Sequence, residues 1–207
     1  MKAVAAQVAA ACALSLCMSI VAAAELTAAV VDADGKPLVD AVVYVTGKNA
    51  VASGTPRNAR LDQVNKTFVP RISVIQTGTP VEFPNSDDIR HQVYSFSPAK
   101  VFTLKLYAGK PSQPVIFDKP GVVVLGCNIH DTMVAWVLVV DTPWFAKTDA
   151  QGHAVIKDLP AGSYELQAWH SSVTAPLASG ALELKGSEKV DRAITLHPNS
   201  LPGLTGP

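Results

Sequence analysis

The feature that most constrains the fold of this chain is its succession of short apolar runs separated by turn residues. The runs are rich in Val, Leu, Ile, Thr and Tyr, and Gly, Pro, Asn and Asp lie between them. No long segment has the periodicity of an amphipathic helix. This pattern is typical of a β-sandwich or barrel, so the sequence predicts an all-β protein. The predicted strands are residues 26–31, 41–46, 71–76, 80–83, 91–95, 115–117, 122–126, 134–140, 153–156, 164–169, 181–184 and 192–196.

One predicted strand, residues 134–140 with the sequence VAWVLVV, is apolar at every position. A strand with one solvated face alternates apolar and polar residues, and this one does not. We therefore expect both of its faces to be covered, one by a second sheet and the other by a neighbouring domain.

The charge balance excludes one class of partner. Acidic and basic side chains number 17 each among 207 residues, so the formal net charge is zero. Because nucleic-acid binding needs a basic excess to offset phosphates, we expect no nucleic-acid partner. Hydrophobic residues make up 48% of the chain and charged residues 16%, which indicates folded domains rather than disorder.

The N-terminus has the pattern of an export signal. Lys2 precedes an apolar run over residues 8–21, and residues 22–24 are all Ala, which suits signal peptidase. The alternative, a transmembrane anchor, needs a longer run to cross a core of roughly 30 Å. We therefore predict a signal peptide at residues 1–24, a periplasmic location and no membrane span after cleavage.

Cleavage there would leave a single cysteine. Cys12 and Cys17 lie in the predicted signal, and Cys127 is the one cysteine after it. An unpaired thiol in an oxidising compartment is a liability unless it is buried or bound to a metal. An inert buried cysteine is the alternative, but the residues around Cys127 favour metal binding.

The segment GCNIHDTM places Cys127, His130 and Met133 at three-residue intervals between two apolar runs. A tight loop can direct three such side chains to one point, whereas a straight strand sends them to alternate faces. One thiolate, two imidazoles and a weak thioether are the ligands of a blue-copper site. His91, which follows a polar turn 36 residues before Cys127, is the candidate second imidazole. We predict one copper ion held by these four residues.

The pattern V-x-x-x-G-x-x-V-x-F-x-N-x-D-x-x-x-H-x-V, then F-x-x-P-G, then C-x-x-H-x-x-M, resembles the cupredoxins. The Cys–His–Met spacing is similar to that of amicyanin more than to that of plastocyanin, and residues 61–141 resemble cupredoxin-like proteins labelled methylamine utilisation proteins. The resemblance implies a Greek-key β-sandwich, copper and electron transfer. Gln92 follows His91 here, where many cupredoxins have an Asn that braces the residue after the cysteine. The matching residues are Val74, Gly78, Val81, Phe83, Asn85, Asp87, His91, Val93, Phe117, Pro120, Gly121, Cys127, His130 and Met133.

The flanking segments resemble a different family. AVVDADGKPLVDAVVYVTG and TDAQGHAVIKDLPAGSYELQAWH are similar to the two halves of a carboxypeptidase-regulatory-like (transthyretin-like) sandwich. We therefore predict a cupredoxin domain over residues 60–141, inserted in or packed on a second small sandwich made of residues 25–48 plus 142–196. One larger merged sandwich is the alternative, and residues 197–207 are predicted to be a flexible tail.

These patterns predict a one-electron carrier that is a monomer and meets its redox protein partners transiently, with His130 at the edge where electrons pass. We expect no enzyme, because a single copper without an open coordination position does not turn over a substrate, and the sequence lacks the H-x-H pairs of related oxidases. The rival functions are a copper carrier without redox duty and a metal-free structural sandwich. His153 and His197 are predicted to be surface residues, and His170 a hydrogen-bonded residue at a strand end.

Overall fold

The computed structural model describes residues 23–48, 50, 56–173 and 176–197. Within these ranges the chain is all-β, as predicted: seventeen strands form five sheets, and no helix has the length and apolar character needed to cross a membrane. The strands are β1 Ala24–Val31, β2 Val42–Thr46, β3 Ala59–Arg60, β4 Asp62–Val64, β5 Thr67–Val69, β6 Ile72–Gln76, β7 Thr79–Glu82, β8 His91–Ser97, β9 Lys100–Tyr107, β10 Val115–Phe117, β11 Gly121–Gly126, β12 Val134–Val140, β13 Phe145–Lys147, β14 His153–Leu159, β15 Gly162–Trp169, β16 Leu177–Leu184 and β17 Lys189–Thr195.

Most of the predicted export signal and of the predicted tail, residues 1–22 and 198–207, lies outside the described residues. Strand β1 begins at Ala24, the last residue of the predicted signal, and Ala24 is buried opposite Leu159 of β14. The export signal stays a prediction.

The middle of the chain forms two sheets that pack face to face. One has the strand order β6-β12-β11-β8-β9, and the other has the order β10-β7-β3. Val123 and Leu125 of β11 point into the space between the sheets, where they join Val81 of β7 and Phe117 of β10 in a fully buried core. This pair of sheets, which we call the central sandwich, carries His91 on β8 and the other three predicted metal ligands on the loop between β11 and β12.

The segments before and after the central sandwich form a second pair of sheets, here called the flanking sandwich. Strand β1 lies between β14 and β17 in one sheet, and β13, β2, β15 and β16 form the other in that order. Leu26 of β1, Val43 and Val45 of β2 and Leu166 of β15 are buried in their shared core. The predicted division into two domains remains a prediction, but the sheets follow the same segments of the chain.

A third apolar cluster joins the two sandwiches through the outer face of β12. Val137 points into the central core, whereas Leu138 and Val140 pack with Val42 of β2 and Trp169 of β15. The expectation that β12 is covered on both faces is therefore confirmed. Its apolar sequence is explained by two different neighbours, a second sheet on one side and the flanking sandwich on the other.

Several short or peripheral strands were not predicted from the sequence. Strand β9 is an edge strand whose residues alternate between half-buried and exposed, and its interspersed lysines weakened the apolar signal. Strands β4 and β5 form a small hairpin with only three residues on each side. Strand β13 has three residues and β3 has two. Segments of this length carry too little periodicity to be distinguished from loops.

Candidate metal centre

The loop between β11 and β12 brings three of the predicted ligands to one end of the central sandwich. Cys127 follows β11 directly, and Met133 precedes β12. The backbone N–H of Met133 donates a hydrogen bond to the carbonyl of His130 at 2.9 Å, which closes a tight turn between them. The loop is therefore fixed at both ends by antiparallel pairing of β11 with β12.

His91 reaches the same end from the neighbouring strand. It is the first residue of β8, which pairs with β11 where Tyr94 lies opposite Gly126. An irregularity in the pairing of β8 with β9 falls between His91 and Val93, and such irregularities often redirect a side chain beside a functional site. The pairing of β8 with β11 therefore brings His91 close to Cys127, a proximity that their separation of 36 residues along the chain could not predict.

The structure brings His91, Cys127 and His130 together. One ligand atom from each lies within 4.8 Å of the other two. The Cys127 Sγ and His91 Nδ1 atoms are 3.8 Å apart, and the two imidazole centroids are separated by 5.1 Å. His91 is fully buried, Cys127 is 3% exposed and His130 is half-buried. Two nitrogens and one sulfur at this spacing can converge on a single ion.

The polar atoms of this group fit a bound transition metal. His130 Nδ1 is buried and has no hydrogen-bond partner among the described residues, which is costly unless another group satisfies it. The Nδ1 atom of His91 faces a thiol rather than a strong donor or acceptor. A soft thiolate with two imidazoles suits copper or zinc, and affinity at such sites generally favours Cu(II).

Met133 lies in the same buried cluster as Cys127 and is 1% exposed. Its backbone is held one turn from His130 by the hydrogen bond described above. Its role as the fourth, weak ligand stays a prediction.

The structure reveals a contact that the sequence analysis missed. The Oδ2 atom of Asp87 lies 2.7 Å from His91 Nε2, on the side of the ring away from Cys127. Partial burial raises the pKa of Asp87, but hydrogen bonds from Lys66, His91 and Asn65 outweigh it, so the net pKa is lower than usual. The spacing D-x-x-x-H was the signal that could have revealed this pair.

Asn85 and Tyr107 hold the loop that leads to His91. The Asn85 side-chain amide donates to the carbonyls of Ile89 at 2.8 Å and Tyr107 at 3.0 Å. The Tyr107 hydroxyl donates to the Phe83 carbonyl at 2.6 Å and accepts from the buried amide of Gln63. Burial raises the pKa of Tyr107 to about 12, so its hydroxyl stays protonated and keeps donating. Gln63 and Tyr107 were also missed, because both lie outside the copper-related motifs.

Gly126, which precedes Cys127, allows the ring of Tyr94 to lie against the strand. A Cβ atom at this position would lie 2.7 Å from Tyr94 Cζ and 2.8 Å from its hydroxyl oxygen. Any side chain here would therefore displace either the ring or the strand that presents the thiol.

The other histidines lie away from this group. His153 and His197 are exposed, as predicted. His170 follows β15, and its Nδ1 lies 2.7 Å from the Ser172 hydroxyl oxygen, as expected of a hydrogen-bonded residue at a strand end. Burial lowers the pKa of His170 below its usual value.

Neither a protein-family model nor a curated protein matches this chain. Solved structures similar to it include a purple cupredoxin from Nitrosopumilus maritimus, 22% identical, with a TM-score of 0.35 over 40% of this chain and 99% of that one. A copper-containing nitrite reductase from Thermus scotoductus is 23% identical, with a TM-score of 0.37 over 55% of this chain and 28% of that one. A pseudoazurin from Methylobacterium extorquens is 26% identical, with a TM-score of 0.34 over 41% and 76%. Because these TM-scores are low, we base the proposed function on the geometry of the site.

Proposed function

We propose that His91, Cys127, His130 and Met133 hold one copper ion in a type 1 site, and that the protein is a periplasmic one-electron carrier of the cupredoxin kind. The observation that carries the proposal is the convergence of two imidazole nitrogens and one thiol sulfur within 4.8 Å. The buried Nδ1 of His130, which has no partner among the described residues, supports it independently.

Each ligand has a distinct role in this proposal. Copper bound here would supply a one-electron redox couple. Cys127 provides a soft thiolate, which favours the reduced ion, and the imidazoles of His91 and His130 suit both oxidation states. Met133 would provide the fourth, weak thioether ligand. Burial of His91, Cys127 and Met133 would keep water away from a bound ion. Because this ligand set suits both oxidation states, the site would need little rearrangement between them.

The exposed part of the site suits brief contact with protein partners. His130 is half-buried, and its neighbour Ile129 is 49% exposed on the same loop. A small apolar surface around an imidazole edge fits partners that bind and release quickly. We propose that redox proteins dock there on a monomeric carrier and that no substrate is turned over.

The flanking sandwich is proposed to be a discontinuous domain of the carboxypeptidase-regulatory-like kind, made of residues 25–48 plus 142–196. It packs on the outer face of β12 through Leu138 and Val140, away from the inner face that supports the ligands. This position suits a scaffold or docking module.

The test is a visible and EPR spectrum of the protein purified from the periplasm and loaded with Cu(II). The expected result is an intense blue colour and the narrow copper hyperfine splitting of a thiolate site. Met133→Leu should keep the colour and raise the reduction potential, because it removes only the weak ligand. A copper-loaded protein without colour would contradict the type 1 geometry.

The same preparation separates the rival functions. A copper carrier without redox duty would release the ion readily to a chelator and give no reversible voltammogram. A metal-free sandwich would bind no copper. A zinc site would bind Zn²⁺ in preference and remain colourless.

A further inference from the structure

The carboxylate of Asp87 links the turn of hairpin β4–β5 to His91 of the metal site. The turn residues Asn65 and Lys66 both have left-handed backbone angles, with φ of 51° and 58°. Their consecutive backbone N–H groups donate to Asp87, from Asn65 to Oδ1 at 2.5 Å and from Lys66 to Oδ2 at 2.9 Å. A turn that directs successive N–H groups to one point is a nest for an anion, and here the anion belongs to the same chain.

The second contact of this carboxylate is the proposed metal ligand. The Oδ2 atom lies 2.7 Å from His91 Nε2, and the Asp87 side chain is only 10% exposed. An ionised carboxylate can only accept hydrogen bonds, so His91 must carry its proton on Nε2. In the neutral form of the ring the lone pair is then on Nδ1, the atom that lies 3.8 Å from the Cys127 sulfur.

We propose that Asp87 is a positioning residue that fixes the tautomer and ring orientation of His91, and that the β4–β5 turn holds Asp87 in place for this task. The inference rests on the proposed metal site and adds a link from a remote hairpin to one ligand. The negative charge of Asp87 would also make His91 Nδ1 a stronger electron-pair donor to a bound ion, which would favour Cu(II) over Cu(I).

The experiment compares Asp87→Asn and Asp87→Ala with Asp88→Asn as the matched control. Asp88 is adjacent in sequence, carries the same charge and is exposed, so its loss reproduces the change in net charge. Asp87→Asn keeps the shape and removes the charge. Asp87→Ala removes the acceptor altogether. Two measurements are made: the ¹⁵N shifts of His91 in metal-free protein, and Cu(II) and Cu(I) affinities by competition with chelators.

In metal-free wild type and Asp88→Asn, His91 should be one tautomer, protonated at Nε2. In Asp87→Ala its ¹⁵N shifts should move towards a mixture of tautomers. Asp87→Asn should lose about 10–100-fold in Cu(II) affinity, the range typical of partners behind a metal ligand. Cu(I) affinity should fall less, and each tenfold difference raises the reduction potential by about 59 mV.

Two results would overturn the inference: an unchanged Nε2–H tautomer in folded, metal-free Asp87→Ala, or equal Cu(II) affinities for Asp87→Asn and Asp88→Asn. If the wild type binds no copper, the proposed function fails, and the ¹⁵N shifts of the metal-free protein still decide the role of Asp87.

Discussion

The stability of the protein should depend on copper through the thiol of Cys127. A ligand that binds only the folded state adds RT ln(1 + [L]/Kd) to the free energy of unfolding. At free Cu(II) about one hundred times the Kd, this amounts to about 2.7 kcal/mol. For a chain of this size, 1 kcal/mol corresponds to about 2–4 °C in Tm. Copper should therefore raise the Tm of the wild type by roughly 5–11 °C.

Replacing Cys127 with Ala should abolish this increase in Tm and lower the free energy of unfolding of the metal-free protein only slightly. Cys127 is 3% exposed and packs in the central core, so Cys127→Ala removes one buried heavy atom. The loss should be about 0.5–1.5 kcal/mol, similar to that of a buried methyl group. The larger effect is on binding, because the site loses its only thiolate and keeps two imidazoles.

The assay is thermal unfolding followed by circular dichroism, with and without Cu(II). Ile75→Val is the matched control, because Ile75 is buried in the same core and loses one methyl group. It lies opposite Val139 of β12, six residues along the chain from Met133. This variant should cost about 0.5–1.5 kcal/mol and keep the full copper-dependent increase. An equal increase in Cys127→Ala would refute the reasoning, since copper would then be bound elsewhere.

Three further changes test the surrounding fold. Leu138 is 1% exposed in the apolar cluster that joins the two sandwiches, here called the junction. Leu138→Ala should lower the free energy of unfolding, measured in urea, by about 2–5 kcal/mol; a loss near zero would mean that the junction contributes little to stability. Gly126→Ala should cost about 1–3 kcal/mol because its Cβ meets the Tyr94 ring at 2.7 Å, and adding Tyr94→Leu should recover part of that loss. Burial lowers the pKa of His170 in the folded state, so the unfolded state binds more protons than the folded state as pH falls below about 6.5. The wild type should therefore lose stability between pH 7.5 and 5.5, and His170→Gln should lose less. Equal pH dependence in wild type and His170→Gln would contradict this.

The sequence was most informative where a residue pattern is compatible with only a few structural environments. An uninterrupted apolar run such as β12 can be stable only if both faces are covered, and the structure covers them with two different neighbours. Cys127 and His130 lie on a short loop between two strong strand signals, so their proximity followed from the spacing. His91 required the resemblance as well, because strand pairing, rather than chain distance, sets its position beside Cys127.

The contacts that orient the ligands could not be obtained in the same way. Asp87 belongs to the motif that resembles the cupredoxins, but the motif gave it no role, and only its i, i+4 relation to His91 pointed to one. Its other partners are the backbone N–H groups of Asn65 and Lys66, which every sequence has and no motif encodes. Gln63 shows the same difficulty, since its amide contacts Tyr107 across 44 positions of chain.

The metal site and the junction lie at different places along one strand, and this should make them independent. Leu138 is four residues beyond Val134, which corresponds to about 13 Å along β12. Its side chain points to the flanking sandwich, whereas the ligands lie at the start of the strand and on the inner side. Changes at sites this far apart usually add without coupling. Loss of packing at Leu138 should therefore lower the stability of the whole protein and leave its copper spectrum unchanged, whereas the β4–β5 hairpin, which contacts His91 through Asp87, should affect the spectrum directly.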